Sequence, residues 1–216
     1  MTVTSNPGRE RILERIRAGL RGATTAAAVA PADVMIFEPI ANPVERFQEE
    51  AKANLIDCLM TTDSAGSAQQ LAQVLDSLPQ GDIFVQDAPV LRRLIEMSGS
   101  KRPVRWSSQS GPAEASQATI TLVEALIAQT GSILVSAACG GRGASVVAPC
   151  HIAFATLDQL VPDLETALGN ASRQGILEKN SFACVISGSS RTADIEKILV
   201  QGAHGPRRLV VVVESS

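Results

Sequence analysis

The chain has 216 residues and a net charge of −3 at pH 7, and 45% of its residues are hydrophobic but only 3% are aromatic. This length and composition predict one α/β domain with an aliphatic core, and the weak negative charge gives no electrostatic basis for binding nucleic acid. We find neither a signal-peptide pattern nor a run of eighteen apolar residues, so we expect a cytoplasmic protein that does not cross a membrane.

The four cysteines lie in separate segments and form no C-x-x-C pair, and the two histidines are also far apart. Zinc sites and iron–sulfur clusters are normally held by closely spaced cysteine or histidine ligands. We therefore expect no metal or cofactor in this chain. Reduced and mostly buried thiols are expected at Cys58, Cys139, Cys150 and Cys184.

Residues 1–22 predict an arginine-rich amphipathic helix that forms an N-terminal arm, with Ile12 and Ile16 on one apolar stripe. Such a helix either lies on its own domain with a solvated charged face or docks onto a partner chain. Residues 23–44 are rich in alanine and proline and predict an extended connector. The α/β domain is then expected to occupy residues 45–216.

From residue 45 onward, helical and strand patterns alternate along the chain. Apolar residues at helical spacing, ended by Pro79 and Gly99, separate short apolar runs that are typical of strands. This rhythm predicts a mainly parallel sheet. The first half contains predicted helices over 45–54, 67–78 and 89–97 and predicted strands over 56–61, 82–86 and 104–106.

The second half continues with more strands than helices, and no internal repeat is present. Strands are predicted over 118–122, 133–136, 146–149, 151–155, 182–186 and 209–213, helices over 123–128 and 163–168, and a polar connector over 169–179. Cys150 and His151 are adjacent, and such residue types serve together in nucleophilic catalysis. Successive side chains of a strand point to opposite faces, however. We therefore assign Cys150 to the core and keep His151 as a minor site candidate.

Two further segments, a turn at residues 130–132 and a loop at residues 139–143, contain glycine and are candidates for a functional role. The turn Thr130-Gly131-Ser132 leads directly into a predicted strand and can present backbone N–H groups and two hydroxyls at the strand end. The alternative is an ordinary tight turn without a ligand. Residues 139–143 predict a flexible loop that exposes one arginine, either as a mobile flap or as a simple hairpin loop.

The most informative stretch runs from Ser187 to Pro206 between two apolar runs, and it predicts a strand–loop–helix–strand unit. In an open parallel sheet, ligands bind beyond the carboxyl ends of the strands, so we expect residues 187–191 to lie at that rim. Gly188 allows a positive φ, and the serine hydroxyls and free N–H groups of the following helix can bind an anion.

Charged residues around this loop affect whether an anion binds there. Asp194 and Glu196 are expected in the first turn of the helix, where they repel an anion, so binding depends on Arg191, Arg207 and Arg208. Alternatively, the serines and threonine only cap the helix, and a backbone carbonyl holds the titratable His204. The candidate ligand-binding residues are Thr130, Gly131, Ser132, Ser187, Gly188, Ser189, Ser190, Arg191, Thr192, Asp194, His204 and Gly205.

Four blocks of the sequence resemble the lactate-utilisation domain (LUD domain) family, and most closely its lactate-utilisation protein C branch. They are AQTGS at 128–132, Pro149 with His151, SGSSRTADIE at 187–196 and GAHGP at 202–206. The resemblance extends over residues 45–214. It implies a three-layer α/β/α fold with a mainly parallel sheet, like that of sugar-phosphate isomerases and CoA transferases (the NagB/RpiA/CoA transferase-like fold).

The resemblance also implies a role in oxidising L-lactate to pyruvate, together with two iron–sulfur partner proteins that carry the redox centres. The family usually has glutamate where this chain has Gln129, and GPSRT where this chain has Gly188-Ser189-Ser190 before its arginine. An amide acts neither as a general base nor as an acyl-accepting nucleophile. The resemblance therefore assigns no catalytic residue to this chain.

Three functions are compatible with these patterns. The first is an accessory or ligand-binding subunit of a lactate-oxidising system that binds a carboxylate or a larger anion at the candidate residues. The second is an autonomous isomerase or transferase on a sugar phosphate or CoA ester, with Asp194, Glu196 or His204 as acid–base group. The third is a scaffold that docks partner subunits through residues 1–22. We favour the first, because polar residues converge on one rim without a titratable pair poised for catalysis.

Overall fold

The computed structural model describes residues 7–21, 39–109, 113–193, 199–201 and 205–215. The chain divides into two units, residues 1–38 and residues 39–216. Among the described residues, no helix has both the length and the apolar character that crossing a membrane requires.

The first unit contains helix α1 (Pro7–Arg21), which lies where the sequence predicts a helix. Its predicted apolar stripe is solvent-exposed, because Ile12 is 61% and Ile16 is 52% exposed. Most of the predicted connector, residues 22–38, lies outside the described residues. The division into arm, connector and domain therefore stays a prediction.

The second unit alternates helices and strands, as the sequence predicts for its first half. Its helices are α2 (Pro43–Ala53), α3 (Ser64–Asp76), α4 (Pro89–Ser98), α5 (Leu164–Arg173) and α6 (Ile176–Lys179). Its strands are β1 (Asp57–Thr61), β2 (Ile83–Val85), β3 (Val104–Trp106), β4 (Ala118–Leu122), β5 (Ala125–Ile127), β6 (Ser132–Ser136), β7 (Cys150–Thr156), β8 (Leu160–Val161), β9 (Ala183–Ile186), β10 (Arg191–Ala193), β11 (Leu199–Gln201) and β12 (Arg208–Glu214).

Six strands form a parallel sheet in the order β1-β12-β7-β4-β2-β3. Helices α3 and α4 cover one face, where Leu71, Leu75 and Leu91 pack against Val210 and Ile152 of the central strands. Continuous aliphatic runs suit strands that are buried on both faces. The α/β class with a mainly parallel sheet is therefore confirmed.

The opposite face of the parallel sheet is covered by α2 and by a second sheet, in the order β8-β5-β6-β9. Helix α5 packs on the outer face of that second sheet. The helix predicted over residues 123–128 is wrong, because residues 125–127 form β5. Three consecutive buried apolar residues, Ala125, Leu126 and Ile127, can pair with β6 and β8, and this pairing outweighs a weak helical pattern.

Two further local predictions are wrong. Residues 146–149 form turns rather than a strand, and Val146 is 43% exposed. The polar connector predicted over residues 169–179 contains the end of α5 and all of α6. Helix α5 is stabilised by Ala167 and Ala171, which are spaced four residues apart and bury one stripe against the sheet. Its polar residues Glu165, Ser172 and Arg173 are exposed.

The helix predicted after the loop at 187–190 is also wrong in its described part. Strands β10 and β11 pair antiparallel, with Thr192 opposite Val200. The stretch is rich in β-branched residues, which favour extended backbone over helix. Residues 194–198 and 202–204 lie outside the described residues.

Helix α2 packs directly on the turn that connects β5 to β6. The side chain of Asn42 caps the helix by accepting a hydrogen bond from the Glu45 N–H (3.3 Å). Gly131 adopts φ +57°, and a Cβ placed on it would lie 2.2 Å from the backbone nitrogen of Ala51. A glycine is therefore required both by the backbone conformation and by the closeness of α2.

His151 lies at the amino end of β7 and is fully buried, with Nε2 2.9 Å from Thr121 Oγ1. Burial lowers the pKa of His151 to about 4. Cys150 packs on the opposite face among the residues under α3 and α4, as the alternation of side chains predicts. His151 is thus a neutral core residue near neutral pH.

We expect Gly131→Ala to lower the free energy of unfolding by about 2–5 kcal/mol, because it adds a steric clash with α2 to the strain of a left-handed residue. Gly99 is a matched control, since it has φ +66° and no described atom lies within 4 Å of an added Cβ. Gly99→Ala should therefore cost only about 1–2 kcal/mol. Urea unfolding measures both, and equal costs would contradict the packing role of Gly131.

We expect stability to fall as the pH drops from about 6.5 to about 4. In this window the unfolded chain protonates His151 and the folded chain does not, so the free energy of unfolding decreases by up to roughly 1.4 kcal/mol per pH unit. His151→Gln keeps a hydrogen-bonding group but does not titrate. Denaturation curves at several pH values should therefore show a flatter profile for this variant, and parallel profiles would disprove the assignment.

Candidate functional site

Three separate segments of the chain meet at one place, and we call them the loop cluster: residues 130–132, 187–190 and 205–207. Ser132 Oγ and Ser187 Oγ lie 2.6 Å apart and share a hydrogen bond. The backbone N–H of Ser190 donates to the carbonyl oxygen of Pro206 at 2.8 Å. These two contacts bring together three of the sequence blocks that carry the family resemblance.

The first segment of the loop cluster is held from behind by α2. Gly131 closes a short 3₁₀ turn, and the side-chain amide of Asn54 donates to the carbonyl oxygen of Thr130 at 2.8 Å. Ser132 is fully buried and also contacts the Thr130 carbonyl at 3.2 Å. This turn therefore forms the buried side of the loop cluster. Its Ser132 hydroxyl contacts the exposed Ser187.

The second segment presents the exposed part of the loop cluster. Ser187 is exposed and Gly188 adopts φ +121°, which favours glycine, while Ser189 is buried. Ser190 packs so closely on Gly205 that a Cβ added to Gly205 would lie 3.0 Å from Ser190 Cβ. The glycine at 205 thus allows the second and third segments to touch.

The third segment is fixed by the turn region before β7. The carbonyl oxygen of Pro149 accepts hydrogen bonds from the backbone N–H groups of Arg207 (2.8 Å) and Arg208 (3.2 Å). Arg208 and Cys150 are the first residues of β12 and β7, and they pair in register. The loop cluster therefore lies next to the amino ends of the two central strands.

The sequence pattern predicts residues 187–191 at the carboxyl rim of the parallel sheet, and this prediction is wrong. Strand β9, which leads into the loop, belongs to the second sheet and pairs antiparallel with β6. The rule for carboxyl ends applies to strands of a parallel sheet. Its premise fails here because β9 is not one of them.

The structure brings together part of the predicted site set. Thr130, Gly131, Ser132, Ser187, Ser189, Ser190 and Gly205 belong to segments that touch, and Gly188 lies between them. Asp194 and His204 lie outside the described residues, and Arg191 and Thr192 are described only as backbone in β10. Arg208 is engaged elsewhere, with its Nε donating to Asp57 at 2.7 Å.

The loop at residues 139–143 is tethered at both ends. The side-chain amide of Gln86 donates to the carbonyl oxygen of Ala138 at 3.1 Å, and Arg142 binds Ser181 through Nε (3.1 Å) and Nη2 (3.2 Å). The predicted exposed arginine is thus a tether between this loop and the segment before β9.

The chemistry of the loop cluster is hydrogen bonding rather than nucleophilic attack. Among the described residues, no ionisable side chain hydrogen-bonds with Ser132 or Ser187, so neither hydroxyl has a general base beside it. Burial raises the pKa of the Cys139 and Cys150 thiols to about 11, which keeps them protonated. Across the described residues, no group of three or more His, Cys, Asp or Glu is arranged to hold a metal ion.

Sequence reasoning missed Asn54 and the contact between Ser132 and Ser187. Asn54 is 76 positions from Thr130, whose carbonyl oxygen it binds, and Ser132 is 55 positions from Ser187. No local pattern reports such a contact, because it depends on how the second sheet packs against α2.

Comparison with known proteins supports the resemblance. A sequence profile of the LUD domain matches residues 111–213, a range that contains the whole loop cluster. Lactate utilization protein C of Deinococcus radiodurans is 35% identical over 98 residues, which cover 44% of this chain and 45% of that protein. The protein of the same name from Bacillus subtilis (strain 168) is 28% identical over 174 residues, covering 73% and 72%.

Some of these matches are partial, since the chain spans about half the length of the Deinococcus radiodurans relative and 44% of lactate utilization protein C 1 from Bacillus mycoides. The fold is shared with the crystal structure of a DUF162 family protein from Deinococcus radiodurans. The TM-score is 0.58 at 20% identity, over 79% of this chain and 95% of that chain. Residues 111–213 thus match the LUD domain family, and the relatives that this chain resembles include proteins named lactate utilization protein C.

Proposed function

We propose that this chain is a non-redox, ligand-binding subunit of a system that oxidises L-lactate to pyruvate. Its relatives carry the name lactate utilization protein C, which supports a role in lactate use. Oxidising lactate to pyruvate removes two electrons and two protons, and iron–sulfur partner proteins would accept the electrons. The loop cluster is the proposed binding site for a small carboxylate or a larger anion.

The observation that carries this proposal is the hydrogen bond between Ser132 and Ser187 at 2.6 Å. It joins two sequence blocks of the family that are far apart in the chain. The contact of Ser190 with Pro206 adds a third block. Blocks that share a family pattern and also meet in space are more consistent with a binding site than with three separate turns.

The composition of the loop cluster suits an anion. Serine hydroxyls and backbone N–H groups donate hydrogen bonds to carboxylate oxygens, and Gly188, at φ +121°, has no side chain that would cover its backbone. Arg207 is exposed beside the cluster, and Arg191 follows the loop directly as the first residue of β10. We propose that these arginines supply the positive charge.

The distribution of cysteines supports the non-redox part of the proposal. Iron–sulfur clusters are held by sets of cysteine thiolates. Here Cys58 lies on β1, Cys150 on β7 and Cys184 on β9, whereas Cys139 follows β6, and all four are free thiols. Burial raises the pKa of three of them, Cys58 included, to about 11.

We expect L-lactate, pyruvate or a larger organic anion to stabilise the purified chain. A ligand at about 100 times its dissociation constant adds about 2.7 kcal/mol to the free energy of unfolding, which a thermal-shift assay detects. Ser187→Ala should weaken binding about fivefold through the loss of one hydrogen bond, and Arg191→Ala should abolish it. Arg93→Ala, at an exposed position on α4, is the matched control. Unchanged binding by Arg191→Ala would reject the loop cluster as the site.

We also expect the isolated chain to show no lactate-dependent reduction of an artificial electron acceptor, because its partners are proposed to hold the redox centres. The same preparation should show no repeated turnover on sugar phosphates or CoA esters. Multiple turnovers in the first assay would overturn the non-redox assignment. Multiple turnovers in the second would establish the autonomous enzyme instead.

A further inference from the structure

A second candidate site lies at the carboxyl edge of the parallel sheet, whereas the loop cluster lies next to the amino ends of its central strands. Strands β4 and β7 are neighbours in that sheet, and Leu122 pairs with Phe154 near their carboxyl ends. Glu124 and Asp158 each follow one of these strands by two residues. Ligands of open α/β sheets bind beyond the carboxyl ends of the strands, which is where these two carboxylates lie.

A cavity of about 290 Å³ is lined by both carboxylates. After Glu124 and Asp158 the chain continues into β5 and β8, which pair in parallel with each other. The cavity lies between this part of the second sheet and α5. Its size is at the lower end of the range for small-molecule sites.

Small side chains leave this space open. Ala125 of β5 and Ala167 and Ala171 of α5 line the cavity and are almost fully buried, so only a methyl group projects from each of these three positions. Leu134, which pairs with Ala125 across β5 and β6, also lines the cavity. The cavity is thus built into the packing of α5 on the sheet.

The cavity is distinct from the loop cluster. Ser132 of the loop cluster begins β6, whereas Ser136 ends it and donates a hydrogen bond to Glu124 at 2.5 Å. Four residues of extended strand span about 13 Å. The Glu124 carboxylate and the loop cluster thus lie at opposite ends of β6, and none of the described loop-cluster residues lines the cavity.

The polar groups of the cavity are mainly acceptors. Ser136 Oγ and Cys139 Sγ both donate hydrogen bonds to Oε1 of Glu124. No described residue donates to its Oε2. Neither Glu124 nor Asp158 forms an ion pair with a described residue. Two carboxylates in one small cavity attract a cation and repel lactate, pyruvate or phosphate.

The remaining polar lining is neutral. Gln159 is committed to the protein, since its amide donates to the Val123 carbonyl oxygen at 2.7 Å and its oxygen accepts from the Thr156 N–H at 2.9 Å. Asn170 and Gln174 of the α5 side add carboxamides, and Arg173 reaches Asn170 Oδ1 at 2.5 Å without lining the cavity. Among the described residues that line the cavity, none is a lysine, an arginine or a histidine.

We propose that this cavity binds a small organic cation, an amine or a guanidine, through Glu124 and Asp158. A bare metal ion fits less well, because no described group of three or more metal-ligating side chains is present and the volume exceeds that of one ion. An ammonium or guanidinium group supplies several donors, which match the free oxygens of the two carboxylates.

The test uses the full chain, isothermal titration calorimetry and three probes that share a four-carbon chain. 1,4-Diaminobutane and agmatine carry the required charge, and 1,4-butanediol is the uncharged match of the diamine. We expect at least one of the two cations to bind, and the diol to bind roughly tenfold more weakly or not at all. Binding should also weaken as salt is raised. Equal affinity for diamine and diol, or no binding of either cation at millimolar concentration, overturns the proposal.

Variants locate the binding. Glu124→Gln and Asp158→Asn should each lower the affinity for the cation roughly tenfold or more. Glu165→Gln removes the same charge from an exposed position of α5 outside the cavity and should change nothing. Asp158 is exposed and makes no hydrogen bond with another described side chain, so Asp158→Asn is expected to fold even if Glu124→Gln does not. Wild-type affinity in the cavity variants, or an equal loss in Glu165→Gln, overturns the proposal.

Discussion

The parallel pairing of β12 with β7 is the contact on which the rest of the second unit depends. Seven residue pairs lie in register, from Arg208 with Cys150 to Glu214 with Thr156. The valines at positions 210–213 are almost fully buried, and burying one such side chain contributes about 1.5–3 kcal/mol. Because net stabilities are only about 5–15 kcal/mol, this strand pair holds the sheet together. It also fixes Pro206 and Arg207, and with them the third segment of the loop cluster.

The carboxyl edge of the same sheet is not uniform. At the end of β12, Glu214 accepts hydrogen bonds from Ser64 (3.0 Å) and Ser67 (2.7 Å) in the first turn of α3. The Glu214 carboxylate thus lies at the amino end of α3, where the helix dipole favours a negative charge. The hydrogen-bond donors at this part of the edge are therefore bound by a group of the chain itself. Beside it, the carboxylates that follow β4 and β7 lie in a cavity. At this edge, the Glu214 carboxylate is thus hydrogen-bonded within the chain, whereas the carboxylates of Glu124 and Asp158 line a cavity that is large enough for a small ligand.

The second sheet gives the two proposed sites their separate characters. One end of β6 carries Ser132, which faces Ser187 and is supported by α2 through Gly131. The other end carries Ser136, which orients Glu124. Hydroxyls and backbone donors dominate at the first end, and carboxylates dominate at the second. We therefore expect an anionic ligand at the end with Ser132 and a cationic ligand at the end with Ser136.

The sequence by itself determined the strands of the parallel sheet and the helices α3 and α4, because continuous aliphatic runs and stops such as Pro79 and Gly99 act locally. It also indicated the turn at Gly131 and the glycine at 188. Only the tertiary structure decided that residues 125–127 form a strand, that the loop cluster lies near amino ends, and that Glu124 shares a cavity with Asp158. These features depend on pairing between distant segments, and the period of a local pattern carries no information about such partners.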